Sequence, residues 1–214
     1  MELKKVKVEI LRPFGPSIVK VRMPEEIINT MNNYVDETVK DEQKISKLDH
    51  GDQLAGKVKQ EFLLEKEFMQ KIKWAEFLAS AAKEWVNFES KNTKTLKNFE
   101  IIRSWIVRQF ENEYNPVHHH SGHVSGVGYL KVPKNLGKVN ENKRSNEKGR
   151  LLLIHGSVNL FCKATHLIKP EVGDFYLFPN YLLHAVYPFS DTNEERRSVS
   201  FNANLDNNAA SYSS

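Results

Sequence analysis

The hydrophobic period of the chain changes near residue 96, and that change limits the folds open to it. Before it, apolar residues recur at helical spacing. In "MPEEIINTMNNYVDETV", Ile27, Ile28, Met31, Tyr34 and Val35 fall at i, i+1, i+4, i+7 and i+8 and make one stripe. Pro24 suits the first turn of that helix, with Glu25 and Glu26 beside its positive end. In "KIKWAEFLASAAKEWVNF", Trp74, Leu78, Ala81, Ala82 and Trp85 line up in the same way. The stretch between them, "GDQLAGKVKQEFLLEKEF", fits neither period clearly. Beyond residue 96, "IIRSWIVRQF" (101–110), "VSGVGYLKV" (124–132), "LLLIHGSVNLF" (151–161), "GDFYLFP" (173–179) and "RRSVSFNAN" (196–204) are short β-rich runs separated by turn residues. Helices followed by strands imply an α+β fold, with N-terminal helices packed on a mostly antiparallel sheet or barrel. A chain of 214 residues suits one core rather than two. The expected layout is a single domain over 1–205, with 1–95 as mainly helical support and 96–205 as the β core. "DNNAASYSS" (206–214) reads as a loose polar tail.

Composition removes several functional classes. No run of 18 apolar residues exists, so no helix is expected to span a membrane. The start, "MELKKVKVEI", lacks the apolar segment of a secretory signal. The single cysteine, Cys162, cannot form an internal disulfide, and a reducing cytoplasm is the expected setting. In "NLFCKAT" it reads as a buried or half-buried packing residue on a strand. The net charge is +4, but the stretch 131–150 holds seven Lys or Arg and two Glu, a net of +5. The rest of the chain therefore sums to about −1. Basicity is local, which disfavours a general nucleic-acid surface. A connection as long as 131–150 reads as a functional rim or lid, or as a solvated loop.

The chemistry concentrates in "EYNPVHHHSGHVSGVGYL" (113–130), which holds four of the eight histidines. On an extended backbone His118 and His120 share one face and His119 takes the other. Two imidazoles at i, i+2 form a metal-ligand pair, and the competing reading is a histidine-rich polar loop. His184, in "GDFYLFPNYLLHAVYPF", is the best third ligand, or else a satisfied core residue. On "ERRSVSFNAN", Arg196, Ser198, Ser200 and Asn202 share a face that suits an anion pocket, because arginine holds a carboxylate bidentately. The plainer reading of Arg196 is a surface charge.

Five motifs occur in order: HxH at 118–120, SGVxYL at 125–130, PxxGDxxxFP at 170–179, HxVxP at 184–188 and RxSxxFN at 196–202. In that order they resemble the 2-oxoglutarate and Fe(II)-dependent oxygenases, nearest to a branch common in marine cyanophages and some bacteria. The resemblance covers about residues 99–204, with looser likeness in "PFGPSIVKVRMPEEII" and "LAGKVKQEF". It implies a double-stranded β-helix, the jelly-roll barrel of cupins, with Fe(II), 2-oxoglutarate and O2 as cofactors and cosubstrates. It implies His118, His120 and His184 as iron ligands. The family's HxD or HxE carboxylate is here His120, and His123 is an alternative ligand. Arg196 matches the residue that binds the far carboxylate of 2-oxoglutarate, and Tyr129 matches its hydroxyl partner. Ser198 and Asn202 are further pocket members, and Asn115 is either structural or close to the cosubstrate. The activity implied is oxidation, most simply hydroxylation, of a small-molecule or peptide substrate in the cytoplasm, the host's if the chain is phage-encoded. Two rivals remain. One is a cupin-type metal enzyme without 2-oxoglutarate. The other is a non-catalytic jelly roll that binds a sugar, peptide or nucleic acid.

Overall fold

One antiparallel sheet carries apolar side chains on both faces, and each face has its own core. The computed structural model describes residues 7–13, 15–138 and 146–210. The strands are β1 (Val8–Leu11), β2 (Ile18–Arg22), β3 (Gln60–Leu63), β4 (Phe99–Gln109), β5 (Asn115–His118), β6 (Val124–Lys131), β7 (Leu151–Ile154), β8 (Thr165–Ile168), β9 (Asp174–Pro179), β10 (Leu183–Val186) and β11 (Arg196–Leu205). The helices are α1 (Glu25–Thr38), α2 (Glu42–Leu48), α3 (Lys66–Lys71), α4 (Trp74–Glu89) and α5 (Asn207–Ala210). The large sheet runs β1-β2-β9-β6-β11-β4-β3 and the small one β5-β10-β7-β8, both antiparallel.

Alternation along β2 shows how the two cores divide. Val19 and Val21 join Ile27, Met31, Trp74, Phe77 and Leu78 in the core under α1 and α4. Ile18 points the other way, into the space between the sheets, with Val127, Tyr129, Leu151, Leu153 and Phe178. The glycines of β6 serve the helix side. A Cβ on Gly128 would sit 2.1 Å from the Phe175 ring, and one on Gly126 would sit 2.5 Å from the Phe201 ring. Those rings cross the strand only because no side chain is there.

Both expected helices are present, with adjustments at their ends. Pro24 caps α1 rather than entering its first turn, and the expected stripe is buried at Ile27, Ile28, Met31 and Val35. Tyr34 is half-buried and stacks on Phe68 at 3.8 Å between centroids. Lys73 adopts a left-handed conformation, φ 54°, which separates α3 from α4. Three differences from the sequence reading are larger. The first 95 residues also supply β1, β2 and β3, which extend both edges of the large sheet. The β run at 151–161 ends at Ile154, and Gly156 turns the chain with φ 68°. Cys162 is therefore exposed, because it lies in the turn between β7 and β8 rather than on a packed strand.

The tail is also better held than its composition suggests. The Asp206 carboxylate accepts from the backbone N–H groups of Lys97 (2.8 Å), Asn98 (3.1 Å) and Ala209 (3.0 Å), tying α5 to the start of β4. Residues 211–214 lie outside the described residues, as do residues 139–145 of the basic connection. The flanks of that connection are fastened, since Lys134 and Lys138 donate backbone N–H groups to Glu194 and Asp191. Among the described residues, no helix is long and apolar enough to cross a membrane.

Candidate active site

Strand pairing brings the distant histidines together. His184 on β10 lies directly opposite His118 at the end of β5. His120 follows two residues later and returns to the same side. The ring centroids of His118 and His184 are 4.2 Å apart, and His120 is 4.9 Å from each. One nitrogen from each ring lies within 4.8 Å of the others, and the cluster is all imidazole.

Backbone carbonyls fix how two of these rings face. His118 Nδ1 is 2.7 Å from the Pro116 carbonyl and His184 Nδ1 is 2.9 Å from the Leu182 carbonyl. A carbonyl only accepts, so each Nδ1 carries the proton and each Nε2 keeps its lone pair for a metal. His184 Nε2 lies 3.2 Å from His120 Nε2. An ion about 2.1 Å from each of two nitrogens at right angles places them about 3 Å apart. The spacing therefore suits a single ion. Burial, followed by the neighbouring imidazoles, pushes the His120 and His184 pKa values well below the usual histidine range. Burial does the same to His118, against the opposing Pro116 hydrogen bond. All three rings are thus neutral near pH 7, the form that binds metal.

The triad opens on a recess whose other wall is β11. Arg196 and Ser198 line it, and so does Ser200, which shares their face. Arg196 is only 2% exposed and donates Nη1 to the Gly149 carbonyl at 2.7 Å. Its Nε has no partner, and no carboxylate pairs with it among the described residues. Burial lowers its pKa. The surface-charge reading of Arg196 does not fit this burial.

Arg197 faces the other way. It is equally buried but compensated, contacting Asp36 at 2.6 Å and Glu195 at 2.6 Å. It ties α1 to the sheet.

The remaining expected residues fall in different places. Tyr129 does not line the recess. Its ring centre lies 5.7 Å from the Arg196 guanidinium, and its buried hydroxyl has no partner among the described residues. Asn202 turns away, accepting from Ser125 Oγ at 2.9 Å, because the recess ends before its position on β11. His119 is exposed. His123 lies outside the cluster and accepts the Leu205 N–H at Nδ1, 3.0 Å away. Asn115 lines the recess and donates Nδ2 to the Ala55 carbonyl at 2.7 Å.

Among the lining residues that the sequence reading misses, Trp105 and Glu61 carry chemistry. Trp105 packs edge-on against His120 with centroids 5.6 Å apart. Glu61 sits on β3 and is 4% exposed. Glu61 lies within the stretch of unclear period, where "QEFL" has no alternation to mark it.

Residues 103–202 match the family model described as Putative 2OG-Fe(II) oxygenase, which bears out the resemblance carried by the motifs. The family is named for two cofactors, 2-oxoglutarate and Fe(II). Solved structures with the same double-stranded β-helix include a prolyl-4-hydroxylase from Pseudomonas putida. It is 14% identical, covers 88% of this chain and 91% of its own, and gives a TM-score of 0.53. A viral collagen prolyl hydroxylase from Paramecium Bursaria Chlorella virus-1, in its 2OG complex, is 14% identical over 87% and 94%, with a TM-score of 0.52. HygX from Streptomyces hygroscopicus, with nickel and 2-oxoglutarate bound, is 9% identical over 89% and 83%, with a TM-score of 0.57. No curated protein sequence matches the chain. At these identities the likeness to solved structures is one of fold.

Proposed function

We propose that the protein is an Fe(II)- and 2-oxoglutarate-dependent oxygenase, a hydroxylase of a small-molecule or peptide substrate. The observation that carries this reading is Arg196, a buried guanidinium without a carboxylate partner among the described residues, lining the same recess as three convergent imidazoles. An uncompensated buried charge is costly and calls for an anion. The far carboxylate of 2-oxoglutarate supplies one, and the free Nε together with the Ser198 hydroxyl offers it donors.

His118, His120 and His184 would hold the iron. When bound, the iron supplies the oxidising chemistry, in which O2 and 2-oxoglutarate give succinate, CO2 and an oxidised substrate. The chain's own part is binding and orientation. The Pro116 and Leu182 carbonyls aim two imidazoles, Arg196 sets the direction of the cosubstrate, and Val127, Leu151 and Phe178 keep that end of the recess apolar. Three neutral ligands leave the centre one negative charge short of a set with two histidines and one carboxylate.

That donor set favours one alternative, a cupin-type metal enzyme that does not use 2-oxoglutarate. The two readings differ in one assay. Protein loaded anaerobically with Fe(II) is exposed to O2, and succinate release from 2-oxoglutarate is followed. The oxygenase reading expects about one iron per chain and succinate release that requires both iron and O2. Bound iron with no binding or consumption of 2-oxoglutarate moves the cupin-type reading ahead.

A further inference from the structure

The two walls of the recess come from different parts of the chain. The triad and the Arg196 wall fall within residues 103–202, the stretch shared with the oxygenase family. Leu54, Ala55 and Glu61 come from outside that stretch. They lie outside the stretch that the family model matches, and residues beside the common machinery are where substrate selection is commonly carried.

Sheet register places Glu61 firmly. It lies opposite Val107 on β4, which lies opposite Ser198 on β11. The three make one row across the sheet, and all three line the recess. Trp105, two residues from Val107 on the same face, lines the same recess with its ring against His120. The recess is therefore lined by imidazole, indole and carboxyl groups together.

The carboxyl lacks a counter-charge. Among the described residues, no lysine or arginine pairs with Glu61. Its hydrogen-bond partner is the neutral Asn115 amide, and its charged neighbours, Glu113 and Asp49, are also acids. Burial is the main reason its pKa is pushed up to about 7. A buried carboxyl without a cation is rare unless a ligand supplies one. The adjoining indole favours the same kind of ligand, since a cation is attracted to its face. Leu54, Ala55 and Val107 suit an aliphatic stem.

We infer that Glu61 is the substrate-recognition residue of the recess and that it selects a substrate carrying a protonated amine on an aliphatic stem. This rests on the oxygenase reading above. The recess then has two charged stations. Arg196 takes the dianionic cosubstrate, and Glu61, two strands away on the same sheet, takes the cationic substrate.

The test uses the full chain loaded with Mn(II) and 2-oxoglutarate under anaerobic conditions. The probes are n-butylamine, as its hydrochloride, and its neutral counterpart 1-butanol. The readout is paramagnetic relaxation of the probes' carbon-bound protons by Mn(II), which reports only molecules near the metal. Wild type is expected to bind the amine more tightly than the alcohol. E61Q should weaken amine binding by about tenfold or more, the loss typical of a hydrogen bond to a charged group. Alcohol binding and 2-oxoglutarate affinity should stay within about twofold, because Gln keeps the shape and the Asn115 contact. Equal binding of amine and alcohol by wild type overturns the inference, as does an unchanged amine affinity in E61Q. Loss of 2-oxoglutarate binding in E61Q also overturns it, because Glu61 would then serve the cosubstrate. Failure of wild type to bind 2-oxoglutarate is a separate result and counts against the oxygenase reading itself.

Discussion

Replacing Glu61 by Gln should stabilise the metal-free protein, and only above the acid range. The Glu61 carboxyl is raised from 4.5 to about 7 in the fold, chiefly by burial. The folded state therefore holds the proton more tightly than the unfolded chain does. Below about pH 4.5 both states are protonated and folding pays no penalty. Between about pH 4.5 and 7 the unfolded chain ionises first, and stability falls by about 1.4 kcal/mol per pH unit. Above about pH 7 the whole penalty is present. The rise from 4.5 to about 7 corresponds to about 3 kcal/mol, and at 4% exposure solvent does little to screen it. Gln mimics the protonated acid, so E61Q should match wild type near pH 4.5 and exceed it by about 3 kcal/mol at pH 8. Urea midpoints measured across that range, in the presence of a chelator, give the difference directly. A pH-independent difference, or a less stable E61Q at pH 8, would show that the carboxylate is charged and compensated in the fold. Together with the expected loss of amine binding, this is the exchange of stability for function common at binding sites.

Arg197→Ala should lower stability by about 3 kcal/mol, because it leaves a buried gap and removes the guanidinium's bonds to Glu195, Asp36 and Asn32; a urea midpoint equal to wild type would contradict this. His184→Ala should abolish stoichiometric metal binding in elemental analysis while His119→Ala keeps it, and the reverse order would dismantle the triad. Cys162 should react fully with an aromatic disulfide reagent in the native protein, and Cys162→Ser should unfold at the wild-type temperature; a thiol that reacts only after unfolding would place it in the core.

What could be read in the sequence follows from how local its physics is. The α1 and α4 stripes and the strands β4, β6, β9 and β11 depend on periodicity within a dozen residues, and they appear close to where the pattern puts them. The alternation of "RRSVSFNAN" separates Arg196, in the recess, from Arg197, among the carboxylates beside α1. The pairing of His118 with His184 was legible only through motif order, since nothing local to either residue states it. Strand pairing across 66 positions brings them together. Asn202 was overread because period two continues along β11 beyond the point where the recess ends. Cys162 was misplaced because a turn at Gly156 interrupts an apolar run that looks continuous. Glu61 was invisible for a further reason. A four-residue edge strand carries too little pattern to register, and the burial that makes its carboxyl unusual is tertiary.

The most direct test of the oxygenase account is calorimetric titration of 2-oxoglutarate into anaerobic, Mn(II)-loaded protein, with wild type and Arg196→Ala compared. Arg196 is not a metal ligand, so Mn(II) stoichiometry should be the same in both. Loss of one partner from a buried, hydrogen-bonded charge pair predicts that Arg196→Ala binds 2-oxoglutarate on the order of a hundredfold more weakly, or worse. Wild type that binds Mn(II) but shows no heat with millimolar 2-oxoglutarate, or an Arg196→Ala variant that binds it as tightly as wild type, would contradict the account.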